Sequence, residues 1–419
     1  MSLLLRRVKL AGELVDILCE NGLIARIAPA LPEVVADQVL EGGGKAVVPG
    51  LYNGHTHAAM TLFRGYADDM ELLSWLTTKI WPLEEKLTEE LVYHGARLAC
   101  LEMIKSGTVF FNDMYWHFHG TAKAVEEMGL RAALSAVIID LDDPQRLKDQ
   151  IAANRELLQA SRDYSERLQF VLGPHAIYTV SRAGLEWVRD FAEEHNLLIH
   201  LHLAETEPEI RDCLAKNGQR PVQYLADIGL LSRKLVAAHA VWLEDEEIAT
   251  LAKHQVKVIH NPVSNMKLAV GRTFPYRQFA EQGVLMGLGT DGCASNNNLD
   301  MFETLKFSAL LQKFAGDDPT LQPAAAAWRM ASEDGAAIFG LAGGVVAEGR
   351  PADLLLLDTD RPEMIPGHNL VSDLVYSASG AVVDTTIVAG KVLMHKRRVE
   401  GEEEIIAAAR DAARRLLQG

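Results

Sequence analysis

Between residues 108 and 291 the chain alternates between short, almost wholly apolar runs and segments whose apolar positions recur every three or four residues. The apolar runs at 108–113, 131–140, 168–178, 197–205, 235–243, 256–262 and 284–291 read as buried strands. The amphipathic segments between them, such as 91–105 and 183–194, read as helices. An earlier run, Val47-Val48-Pro49-Gly50-Leu51-Tyr52-Asn53-Gly54, reads as one more strand and brings the number to eight. Eight βα units over roughly 250 residues is the arithmetic of a (β/α)8 barrel, whose chemistry gathers at the C-terminal ends of its strands.

The two ends of the chain lack a helical period. Residues 3–10 and 15–28 alternate like strands and are punctuated by Asn21-Gly22, a strong hairpin signal; 349–357, 385–388 and 392–394, around Gly390, do the same near the other end. The expected fold class is therefore α/β: a (β/α)8 TIM barrel at residues 54–349, inserted into a small β-sandwich domain formed by both chain ends, 1–53 and 350–419. Residues 326–340 read as a helix, and so do 402–417, with one charged face, packed on the outside. Residues 60–90, with Trp75 and Trp81, read as a helical insertion after the first barrel strand, and a connection of that length usually serves function.

Composition narrows the function classes. The 419 residues are 48% hydrophobic and 23% charged, with a formal net charge of −16 and no clustered Lys or Arg. That excludes an electrostatic footprint for nucleic acid or anionic membrane and suits a small neutral or cationic substrate. Cys19, Cys100, Cys213 and Cys293 stand far apart, as reduced thiols do, and no apolar run approaches the ~18 residues of a membrane span. These features point to a cytoplasmic protein; they leave a homo-oligomer open.

Metal-competent side chains fall at the expected strand ends: His55 and His57 on the first, His202 on the fifth, His239 on the sixth and Asp291 on the eighth. A lone His-x-His is a weak signal, but residues i and i+2 of a strand share a face, and nitrogen and oxygen donors without thiolate suit Zn²⁺ or Fe²⁺. His200 shares the face of His202 but lies deeper, where it reads as a barrel filler. Glu205, three residues past His202, leaves the strand facing the cavity, where partial burial raises a carboxyl and fits it for proton transfer.

Six segments, Pro49-Gly50-Leu51-Tyr52-Asn53-Gly54-His55-Thr56-His57, Gly173-Pro174-His175, His202-Leu203-Ala204-Glu205-Thr206, Ala238-His239, His260-Asn261-Pro262-Val263-Ser264-Asn265 and Gly289-Thr290-Asp291-Gly292, carry a resemblance across essentially the whole chain. The sequence resembles the amidohydrolase superfamily and, within it, the 5′-methylthioadenosine/S-adenosylhomocysteine deaminases. The resemblance implies one Zn²⁺ per chain, with Fe²⁺ as the alternative, held by His55, His57, His202 and Asp291, and His239 on the hydrolytic water. Binuclear members bridge two metals with a lysine on the fourth strand; residues 169–178 contain none and offer His175, expected near the base or behind the ligands. The His-x-Glu and Pro-Cys-x-x-Cys signature of cytidine-type zinc deaminases is absent.

The implied substrate is a small-molecule adenine nucleoside. Asp291 would take a proton from water activated at the metal and later pass one to the leaving amine, while Glu205 protonates the adjacent ring nitrogen. Glu84 is expected on the ribose hydroxyls, and Trp75, Trp116 and Met60 against a 5′ substituent. Members that accept S-adenosylhomocysteine are expected to grip its carboxylate with two arginines. Here the third-strand position is Ala136, and Arg146 remains alone unless Arg64 substitutes, which ranks 5′-methylthioadenosine and adenosine above S-adenosylhomocysteine. The rival readings are deamination of guanine, cytosine, a pterin or a triazine, hydrolysis of a cyclic amide, and a non-catalytic metal-binding scaffold.

Overall fold

The computed structural model describes residues 2–418. The apolar run around Gly50 is two strands, not one. Ala46–Pro49 pairs antiparallel with Leu354–Leu357, Leu355 opposite Val48, whereas Leu51–Thr56 pairs parallel with Thr108–Tyr115. The chain passes from one sheet to the next at Gly50, where a Cβ would stand 2.2 Å from Cγ1 of Val109. Periodicity could not show this break, because apolar residues continue on both sides of Gly50; the steric demand at Gly50 enforces it.

The sheet on the near side of Gly50 has eight strands. Seven run in the order Lys391–Met394, Val383–Val388, Leu354–Leu357, Ala46–Pro49, Ser2–Leu10, Glu13–Glu20 and Leu23–Ala28, and Gln38–Glu41 lies parallel to Ser2–Leu10. Strands from both chain ends thus share one hydrogen-bonded sheet, with Leu3, Leu5, Ile17, Val47, Leu354 and Ile387 in a common buried cluster.

On the far side, Leu51–Thr56, Thr108–Tyr115, Arg131–Ile138 and the split fourth strand, Leu168–Phe170 with Gly173–Pro174, form one parallel sheet. Ile199–Leu203, Leu235–His239, Lys257–His260 and Met286–Leu288 form another. Bridges at Leu172–Ile199 and Ala176–His202 join them on one side. On the other, the Asp291 N–H donates to His55 O at 3.0 Å and the Thr290 N–H to Asn53 Oδ1 at 3.0 Å. The parallel strands are therefore linked in chain order around a ring. Buried on both faces, they read as unbroken apolar runs, which is why the sequence exposes them. The fifth and sixth end earlier than their runs, where Ala204 and His239 turn into the left-handed region, with φ of 51° and 70°.

The connection after the first strand is helical, as expected: Ala58–Phe63, Leu72–Trp75, Leu76–Ile80 and Trp81–Glu84 lay Trp75, Ile80 and Leu83 into a cluster of their own beside Tyr115. Glu402–Gln418 buries Ile405, Ala409, Ala412 and Leu416, and Arg415 pairs with Glu90 on the helix Glu89–Lys105 at 3.0 Å. All four cysteines are buried and free, and among the described residues no helix is long and apolar enough to cross a membrane.

Candidate metal centre and active site

His55 and His57 issue from the first strand, His202 from the fifth, His239 from the sixth, and Asp291 lies three residues beyond the end of the eighth. The structure brings all five together. Donor atoms of His55, His57 and Asp291, and of His55, His202 and His239, form two overlapping groups, each within 4.8 Å. Asp291 Oδ1 stands 3.4 Å from His55 Nε2 and 3.3 Å from His57 Nε2.

The hydrogen bonds behind these side chains assign their tautomers. His57 Nδ1 meets Met114 O at 2.7 Å, His202 Nδ1 meets His175 O at 2.7 Å, and His239 Nδ1 meets Asn265 Oδ1 at 2.8 Å. Each acceptor oxygen requires a proton on Nδ1, which leaves Nε2 with a free lone pair. His55 is fixed by a relay. His200 Nδ1 donates to Val236 O at 3.1 Å, so its Nε2 accepts from His55 Nδ1 at 2.7 Å. His55 Nε2 is left buried with no hydrogen-bond partner. An orphaned buried lone pair facing a carboxylate and further imidazoles fits a divalent cation. His200, read from sequence as a filler, is thus the group that aims His55.

Electrostatics agree. Burial lowers the His55 imidazole to about 4 and His202 well below its ordinary value, so both stay neutral, as ligands must. Burial alone would raise Asp291, yet the His55 and His57 imidazoles hold it well below the usual carboxylate range. Its Oδ2 accepts from Ser264 at 2.6 Å and Ser295 at 2.9 Å. Burial opposes protonation of His239, but the Glu205 and Asp291 carboxylates outweigh it and raise the imidazole. Glu205 Oε1 lies 3.6 Å from His239 Nδ1, and burial raises its carboxyl above the ordinary range.

Beside this cluster opens a cavity lined at its polar end by His57, His202, Glu205, His239 and Asp291. Its other walls bring in Trp75, Trp116, Glu84, His175 and Met60, all expected there. Glu84 accepts from Trp116 Nε1 at 3.2 Å and is raised by burial. His175 bonds Thr179 Oγ1 at 2.9 Å and is lowered by burial to about 3. Among the described residues no lysine or arginine lines the cavity.

One expectation about arginine is corrected. Arg146 does not line the cavity; it is exposed in the first turn of the helix Pro144–Ala160, where its backbone N–H bonds the capping Asp143. Arg64 is held elsewhere by Glu102 and by Asn297 O at 2.6 Å. The third-strand position also shifts by one. Val137 and Ile139 face the cavity while Ala136 packs on the barrel core, because strand neighbours alternate faces. Sequence reading missed Ser264 and Asn265 as supports, although both lie in the segment His260–Asn265 that it singled out; the spacing alone did not show which strand ends they would touch.

Comparison with known proteins follows the same lines. The amidohydrolase family profile matches residues 46–393. A 5′-deoxyadenosine deaminase of Methanoregula boonei is 50% identical over 384 residues, covering 91% of this chain and 87% of its own length. A 5-methylthioadenosine/S-adenosylhomocysteine deaminase of Archaeoglobus fulgidus is 50% identical over 386 residues, 91% of each chain. Among solved structures, an adenosine deaminase of Xanthomonas campestris with bound zinc superimposes with a TM-score of 0.93 at 34% identity, covering 100% of this chain and 98% of that one.

Proposed function

Because the chain belongs to the amidohydrolase family, in the branch of 5′-methylthioadenosine/S-adenosylhomocysteine and 5′-deoxyadenosine deaminases, we propose that it deaminates adenine nucleosides with a small 5′ group, releasing ammonia and the inosine-type product. It is a hydrolase acting on carbon–nitrogen bonds. The observation that carries the substrate reading is the cavity, which sets the candidate metal ligands and Glu205 beside Glu84 and walls of mostly tryptophan, tyrosine, leucine, isoleucine and methionine, with no lysine or arginine among its lining residues.

We assign one Zn²⁺, with Fe²⁺ the alternative accepted by the same donors, to His55, His57, His202 and Asp291; the zinc in the Xanthomonas deaminase supports this. Such a cation supplies Lewis acidity that makes water nucleophilic near neutral pH. Asp291 accepts the proton of the attacking water, and His239, with its Nε2 free, orients that water. Glu205, its acid form favoured by burial, protonates the ring nitrogen next to the carbon under attack, and Asp291 returns a proton to the departing amine. Glu84 takes the ribose hydroxyls as an acceptor-only group, His175 backs the base, and Trp75, Trp116 and Met60 receive the 5′ substituent.

In this reading 5′-methylthioadenosine and adenosine rank above S-adenosylhomocysteine, whose carboxylate finds no arginine on the walls. Strands from both chain ends form one β domain, folded as a sandwich, around a barrel whose first strand starts at Leu51; the pairing of Ala46–Pro49 with Leu354–Leu357 supports it. The free cysteines favour a cytoplasmic setting. A coupled ammonia-release assay on adenosine, 5′-deoxyadenosine, 5′-methylthioadenosine, S-adenosylhomocysteine, guanine, cytosine and hydantoin tests the proposal. Turnover confined to the adenine nucleosides is expected; preference for guanine, cytosine or hydantoin overturns it.

A further inference from the structure

Glu205 can serve a ring nitrogen only if its carboxyl leaves the fifth strand at one angle, and the backbone there is unusual. Ala204 sits at φ 51°, a conformation that a non-glycine residue holds only where its surroundings impose it. Two sets of contacts impose it. Ala204 O accepts from the Val241 N–H at 3.0 Å and the Trp242 N–H at 2.7 Å. On the donor side, Glu209 Oε1 accepts the Ala204 N–H at 2.8 Å and Oε2 accepts the Glu205 N–H at 2.9 Å.

Glu209 is the third residue of the helix Glu207–Asn217, which Thr206 begins without a side-chain cap. A glutamate at that position ordinarily reaches back to the N–H of its own cap residue. Here it passes over Thr206 and clamps the two residues before it, its side chain buried against them. The bonds it makes therefore serve the strand end, and the helix start is left without a reciprocal cap.

We propose that Glu209 is a positioning residue for catalysis, holding the backbone of Ala204 and Glu205 so that the Glu205 carboxyl points at the substrate's ring nitrogen. This rests on Glu205 being the ring-nitrogen proton donor of the proposed function. The carboxylate suits the task because both oxygens accept at once; an amide keeps one acceptor and alanine none.

The test uses the full-length, metal-loaded enzyme with Glu209→Gln, Glu209→Ala and Glu205→Gln. With 5′-methylthioadenosine, kcat is expected to fall up to about 100-fold, as a displacement near 1 Å costs, more in Glu209→Ala than in Glu209→Gln, with KM and metal content nearly unchanged. A second readout separates aiming from general loosening. Inhibition by purine ribonucleoside, which keeps the ring nitrogen, should weaken in the Glu209 variants, while inhibition by its 1-deaza analogue, which lacks it, should not. Equal weakening of both, or full kcat in the Glu209 variants beside an inactive Glu205→Gln, overturns the inference and leaves the proposed function standing. If the Gln and Ala variants lose metal or fold, Glu209→Asp is measured with the same two inhibitors and judged by the same difference. A parent enzyme that deaminates no adenine nucleoside sinks the proposed function and this inference with it.

Discussion

Replacing His200 by Phe keeps a buried ring of similar size in the barrel but removes the acceptor of the His55 Nδ1 proton, 2.7 Å away. Two states respond differently. Without metal, the His55 proton can move to Nε2, where Asp291 Oδ1 waits 3.4 Å away, and little is lost. With metal on Nε2 the proton must return to Nδ1, now buried without an acceptor. An unmade buried hydrogen bond costs about 1–3 kcal/mol, and because only the metal-bound state bears it, affinity should drop about 5- to 150-fold. That range brackets the roughly 10- to 100-fold typical of lost supports behind metal-ligating histidines. Competition against a zinc-binding fluorophore measures it directly, beside a melting curve of the metal-free protein, which should move little. His200→Gln, whose side-chain oxygen can accept the same proton, should recover part of the loss. Unchanged zinc affinity in His200→Phe would show that the relay does not aim His55.

Glu205→Gln should lower kcat by about 10²–10⁴, the usual worth of a positioned proton donor, while zinc content by elemental analysis stays at that of the parent; an unchanged kcat refutes the role. Burial raises the Glu205 carboxyl, so its acid form is lost only as pH climbs through that raised value. The parent's kcat/KM should therefore decline on the alkaline side, and a profile flat to high pH would contradict this. S-adenosylhomocysteine should trail 5′-methylthioadenosine in kcat/KM by about one to two decades, the equivalent of about 1.5–3 kcal/mol for an unmade charged pair; parity in side-by-side assays refutes it. Gly50→Ala drives a methyl into Val109 and should cost about 1–3 kcal/mol by overpacking, read as a lowered Tm, with no loss expected if the two strands can separate instead.

The barrel was legible because its strands are buried on both faces and therefore largely apolar, and the candidate ligands because His55, His57, His202 and Asp291 fall at the ends of such runs. What lies behind the ligands was not legible. His200 and His202 have the same chemistry two residues apart, and only depth in the barrel decides that one can offer Nε2 to a cation while the other offers it to His55. Ser264 and Asn265 reach Asp291 and His239 across strands that sequence distance does not relate. Ala136 was taken for the place of the missing third-strand arginine; the structure sets its neighbour Val137 on the cavity wall. Gly50 hid a change of sheet because apolar residues continue on both sides of it.

That change of sheet also sets an order of events. His55 and His57 are made early, but Ala46–Pro49, from which they hang through Gly50, stays unpaired on one side until Leu354–Leu357 has been made, and Asp291 too arrives late. Contacts so distant along the chain close slowly, after the loops between them have been ordered. It follows that a growing chain carries two imidazoles without their carboxylate, on a strand whose bare edge invites the wrong neighbour. A cation bound by these side chains would therefore have to wait for Asp291, and until Leu354–Leu357 follows it the edge of Ala46–Pro49 stays bare.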